Sequence, residues 1–166
     1  MIVRQRSATI AIAAIALLLV FPATVTVLQL IQSPPYAPIE MAMSELALGT
    51  GGSAMTLAFC SMGVGTILVA LLIRARHPRA RVAPAALIVA GVLDIVSAFF
   101  HTSGQGEPET PASTIHMIAG ISTFLLVIVA MFASVRPFVR SEEWRRFGWL
   151  TLAWSILAFA AFFLVP

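Results

Sequence analysis

Lysine is absent from this chain: all 10 basic residues are arginine. Cysteine is reduced to Cys60 alone, which excludes an intrachain disulfide framework and a cysteine metal site. Charge of either sign is scarce. Charged residues make up 10% of the 166 residues, against roughly 25% in a soluble domain. Catalytic and nucleotide-binding signatures are missing as well. There is no nucleophile elbow and no dinucleotide fingerprint, and Gly49-Thr50-Gly51-Gly52 has neither a preceding strand nor the lysine of a phosphate loop.

Apolar sequence is what the chain has in quantity. Hydrophobic residues make up 60% of it, more than a soluble fold of this length can hide, so lipid is expected as the solvent for much of the surface. The arginines fall in three clusters: Arg4 and Arg6; Arg74, Arg76, Arg79 and Arg81; Arg136, Arg140, Arg145 and Arg146. Two bilayer crossings of ~18–24 residues fit between each cluster and the next. All the clusters then land on one side, the positive-inside pattern.

The expected fold is all-α, a polytopic membrane bundle of five transmembrane helices in one domain over 1–166, with the N-terminus cytoplasmic and the C-terminus extracytoplasmic. The spans are expected at about 8–31, 52–73, 83–101, 111–135 and 147–165. The first begins like a signal peptide but runs too long and lacks a small-x-small cleavage site, so it is read as a retained anchor. Pro22 is expected to kink it. Ser33-Pro34-Pro35 and Pro38 forbid regular helix in the first outside loop. Thr110-Pro111 reads as an N-cap with a first-turn proline. The location expected is the inner (plasma) membrane. Basic residues are assigned to anionic lipid, and no nucleic-acid partner is expected.

Asp94 is the residue most in need of a reason. It lies in Gly91-Val92-Leu93-Asp94-Ile95-Val96-Ser97, inside the third span, where an acid costs ~2.5–3.5 kcal/mol on insertion scales. One reading is a carboxyl hydrogen-bonded to a Ser or Thr of a neighbouring helix. The other is a proton-handling or substrate-polarising acid. His101 follows seven residues later and, if the helix continues, shares its face. His116 lies early in the fourth span, with Gly120 one turn further on, and Glu45 precedes the second span. The topology brings Glu45, His101 and His116 to the outer boundary with Asp94 beneath them. A metal held by His101, His116 and a carboxylate matches no compact ligand spacing, so no metal and no cofactor is expected. Trp144 and Trp149 read as interface anchors. Gly49 with Ser53 and Ser61 with Gly65 mark close packing around the second span.

The order of these features resembles a known family. One crossing is followed by Ser44-Glu45-Leu46-Ala47-Leu48-Gly49, with Gly52 and Met55. A basic inside loop comes next, then a helix ending in Phe99-Phe100, then Ile115-His116 after a polar loop. This is similar to the bacterial and archaeal integral membrane proteins grouped as domain of unknown function 998. The resemblance carries over Ser44, Gly49 and His116. It differs at Phe99-Phe100-His101-Thr102-Ser103, where the family often has an Asp, and in having five spans where members commonly have six.

Two functional expectations follow. The favoured one is a membrane protein binding a lipid or apolar small molecule at its extracytoplasmic end. Its partners would be membrane lipids and a second copy or another membrane protein. The alternative is a membrane enzyme doing acid/base chemistry on an apolar substrate, such as isomerisation, cyclisation or epoxide opening. There Asp94 would be the acid, His116 the base or orienting group and Glu45 a second acid, with His101 in the same pocket.

Overall fold

The computed structural model describes residues 2–164, with side chains from residue 7 onward. Within that range the chain forms helices and no strand. They are α1 (Ile2–Gln32), α2 (Ser53–Arg76), α3 (Val82–Phe99), α4 (Pro111–Val139) and α5 (Arg145–Leu164), with a short 3-10 helix at Met43–Ala47 between α1 and α2. All 5 long helices have the length and hydropathy to cross a membrane. The chain is a multi-pass membrane protein.

Several helices outrun their apolar stretches. α2 continues to Arg76 and α4 to Val139, through Pro137, past the expected ends near Ile73 and Val135. Hydropathy marks where the membrane ends, but only the i→i−4 hydrogen bonds mark where the helix ends. α1 likewise begins at Ile2 and runs through Pro22 without stopping, and α5 starts at Arg145. The expected end of the fifth span at Val165, and the side chains of Arg4 and Arg6, lie outside the described residues. Thr110 caps α4, its hydroxyl accepting from Ser113 N (3.1 Å) while Ser113 Oγ accepts from Thr110 N (2.8 Å), and Pro111 opens the helix. α3 is shorter than expected. It stops at Phe99 because Phe100 turns to extended backbone (φ −112°, ψ 106°).

Among the described residues each helix packs on its sequence neighbours, α1 on α2, α2 on α3, α3 on α4 and α4 on α5. α3, in the middle of the row, is the most enclosed span, and α1 and α5 are the most exposed. Lipid tails are as apolar as the helices, so close backbone approach has to supply the attraction. Gly63 of α2 and Gly91 of α3 supply it: a Cβ on either would run into the carbonyl oxygen of the other. Gly65 meets Leu18 and the Ala14 carbonyl of α1 in the same way.

The loops pair up by end. His77, after α2, packs its ring 5.2 Å from Phe138 and 6.1 Å from Trp144, so the two arginine-rich loops share one end of the row. At the other end Glu45, between α1 and α2, accepts a hydrogen bond from Gln105 N, between α3 and α4 (2.9 Å). Trp144 is thus half-buried in a ring cluster, whereas Trp149 is exposed.

Candidate functional site

The segment between α1 and α2 is proline-rich and was expected to be an irregular loop, yet it folds back onto the helices. Tyr36 and Leu46 are buried with Val25 and Leu28 of α1 and Met55 of α2 in one apolar cluster. Burial of a Leu- or Met-sized side chain gives roughly 1.5–3 kcal/mol, enough to hold such a segment in place. Gln32, the last residue of α1, fastens it. Its buried amide donates to Leu46 O (2.9 Å) and to Thr50 O (2.9 Å). Gly49 lies flat against that amide, and any Cβ there would overlap it. Gly51 adopts φ +76°, a left-handed conformation that favours glycine, and turns the chain into α2.

This folded segment and the α3–α4 loop border an open cleft of about 500 Å³. Ile31, Pro35, Met41 and Leu48 supply apolar walls, and Gln32 and Glu45 supply polar groups. Glu45 holds the cleft's two lips together: Oε1 accepts from Ala42 N (2.9 Å) and Oε2 from Gln105 N (2.9 Å). Opposite, Glu107 Oε2 accepts from Gly104 N (3.0 Å) and shapes the other lip. Glu45 forms no ion pair among the described residues. An ionised carboxylate has about four acceptor positions, so capacity remains for a ligand's donor.

The other expected site residues lie elsewhere. His116 Nδ1 is 2.7 Å from Phe100 O and 3.1 Å from Ser97 O. Carbonyl oxygens only accept, so Nδ1 carries the proton, and Nε2 is the nitrogen left for any other role. The imidazole edge also meets Phe59 of α2, with centroids 5.7 Å apart and planes at 90°, and Phe59 in turn meets Phe21 of α1 at 5.1 Å. Gly120 faces open space, and a Cβ there would meet nothing within 4 Å.

Asp94 is 4% exposed, in the half of α3 nearer the cleft end, with its Cβ against Gly63. Its carboxyl makes no hydrogen bond or ion pair among the described residues, so the hydroxyl partner that one reading supposed is not there. Ser97, one turn further along, is buried with its Oγ unpartnered. Neither Asp94 nor His116 lines the cleft.

His101 does not join this group. The expectation that it shares a helix face with Asp94 fails because α3 ends two residues earlier, and His101 is exposed in the loop. The expected convergence therefore divides into Glu45 at the cleft, Asp94 and His116 packed among α2, α3 and α4, and His101 at the surface. Among the described residues no three His, Cys, Asp or Glu side chains gather as metal ligands do.

Sequence reasoning missed Gln32 and Gln105. Gln32 reads as the first polar residue after a membrane span, and nothing in its type or spacing marks the two carbonyls it holds. Gln105 acts through its backbone N–H, which no side-chain pattern reports.

Compared with known protein families, residues 11–166 match the family model described as Protein of unknown function (DUF998), and the chain belongs to that family. No curated protein and no solved structure matches it.

Proposed function

We propose that this DUF998 protein resides in the inner (plasma) membrane with its N-terminus cytoplasmic and its C-terminus extracytoplasmic, and binds a lipid or other apolar small molecule in the cleft at its extracytoplasmic end. The orientation rests on the gathering of the arginine-rich loops at the opposite end. The binding reading rests on one observation: a cleft of about 500 Å³ with apolar walls and one carboxylate, Glu45, that pairs with no cation among the described residues. A space of that size suits a small ligand, and a few placed polar groups among apolar walls are what orients one. The matching ligand is apolar with one hydroxyl or amino group, which donates to Glu45. Membrane lipids cover the exposed faces of α1 and α5.

The acid/base alternative requires Asp94, His116 and Glu45 around one reacting group. Asp94 and His116 do not line the cleft, so binding is the better-supported reading.

The test is photocrosslinking of the reconstituted protein with a long-chain alcohol carrying a diazirine. Label is expected on the peptide spanning residues 31–50, and Leu48→Trp, which fills the cleft from its own wall, is expected to remove most of it. Label spread evenly over the exposed faces of α1 and α5, unchanged by Leu48→Trp, overturns the reading.

A further inference from the structure

A second cleft lies at the opposite end, independent of the first. The α2–α3 turn, the start of α3 and the last turns of α4 border an open cleft of about 900 Å³. Five arginines line it: Arg76, Arg79, Arg81, Arg136 and Arg140. None makes a side-chain hydrogen bond or ion pair among the described residues. Glu142 and Glu143, the acids of the neighbouring loop, are exposed and pair with none of them. Guanidinium groups crowded around one space repel each other unless an anion joins them, and their planar forks match the oxygens of phosphate.

Other features point to the same ligand. α3 starts inside this cleft, and its first residues, Val82 and Ala83, line it. Arg81 at the N-cap gives no side-chain cap, so the exposed Val82 has an amide with no acceptor among the described residues, while Ala83 behind it is fully buried. A free amide at a helix start attracts anions. His77 also lines the cleft, and its ring packs against Phe138 and Trp144 and so fixes the α2–α3 turn in place. The lining also has an apolar part, formed by Phe132 and Ala133 of α4. A free inorganic anion has no use for that part, whereas a lipid places its acyl chains there and its headgroup among the arginines.

We propose that this cleft is a binding site for the phosphate-bearing headgroup of an anionic membrane lipid, clasped between Arg81 and the start of α3 on one side and Arg136 on the other. General attraction of a basic surface to an anionic leaflet depends on total charge and is indifferent to which arginines carry it. A built site depends on these two.

The experiment measures phosphatidylglycerol binding to the full chain in phosphatidylcholine nanodiscs, by native mass spectrometry with added lipid. Arg81→Gln/Arg136→Gln is compared with Arg145→Gln/Arg146→Gln, which removes the same charge outside the cleft. The cleft pair is expected to weaken binding about tenfold to thirtyfold, and the outside pair less than about twofold. Phosphatidylglycerol is also expected to raise the unfolding temperature of the unmutated protein above its value in phosphatidylcholine alone, a readout that does not depend on any variant folding. Equal losses from both pairs, or no preference for phosphatidylglycerol over phosphatidylcholine, overturn the proposal. Displacement of the lipid by equimolar inorganic phosphate or glycerol phosphate also overturns it, because the site would then take a free phosphate and not a lipid.

Discussion

His116 of α4 donates through Nδ1 to the carbonyl oxygen of Phe100 at 2.7 Å and also approaches Ser97 O at 3.1 Å, so a side chain from one helix closes the end of another. The last carbonyls of a helix have no partner within it, and in or near lipid, water is not at hand to replace one. The role of His116 in the fold follows: where α3 stops, it supplies a donor to Ser97 O and Phe100 O, two carbonyls that no backbone amide satisfies among the described residues.

His116→Ala is accordingly expected to destabilise the protein by about 1–3 kcal/mol, the cost of a buried polar group losing its partner. His116→Gln, which keeps a donor, is expected to recover part of that loss. Unfolding in detergent by denaturant titration measures both, and amide exchange at residues 98–101 should rise in His116→Ala first.

The glycines offer a contrast of sign. Gly91→Ala places a Cβ against the Gly63 carbonyl and is expected to cost about 1–3 kcal/mol through forced separation of α2 and α3. Gly120→Ala meets nothing and is expected to stabilise α4 by up to ~1 kcal/mol through helix propensity alone. The same unfolding assay, run on both variants, checks the pair. Equal effects of the two would refute the close crossing.

Glu45 ties the α1–α2 segment to the α3–α4 loop by one hydrogen bond, which its carboxylate Oε2 accepts from Gln105 N. Glu45→Ala is expected to leave the helical content unchanged while speeding proteolysis within residues 103–109. Glu45→Gln keeps one acceptor oxygen and is expected to lie between Glu45→Ala and the unmutated protein.

Asp94 is largely buried, and its carboxyl makes no hydrogen bond or ion pair among the described residues. Removing such a group recovers its desolvation cost, so Asp94→Ala is expected to leave the unfolding midpoint unchanged or raised. A loss of more than about 2 kcal/mol would show that the carboxyl has a stabilising partner after all.

The proposed orientation is checked by cysteine labelling in a Cys60→Ser background. Gln105→Cys is expected to react with a membrane-impermeant maleimide on intact cells, and Arg79→Cys only after the cells are opened. The reverse pattern inverts the topology.

Much of the architecture was legible in the residues. The helical class, the number of spans and the sorting of loops by charge follow from long apolar runs and clustered arginines, because the cost of placing charge or open backbone in hydrocarbon acts on each segment locally. Thr110-Pro111 was legible for the same reason, since a cap is set by adjacent residues. The grouping of site residues was only partly so. Placing His101 on the helix face of Asp94 assumed that α3 runs on to His101, and one extended residue, Phe100, removes His101 from the set.

What the sequence by itself determined is therefore how many times the chain crosses and which loops lie together, because these depend on transfer free energies summed along the chain. Only the tertiary structure decided that Gln32 folds the proline-rich loop into a cleft, that Glu45 faces it while Asp94 and His116 do not, and that five arginines and the start of α3 border one space. These depend on which backbone carbonyls, amides and side chains from distant segments come within hydrogen-bonding reach, a distance condition that residue order does not contain.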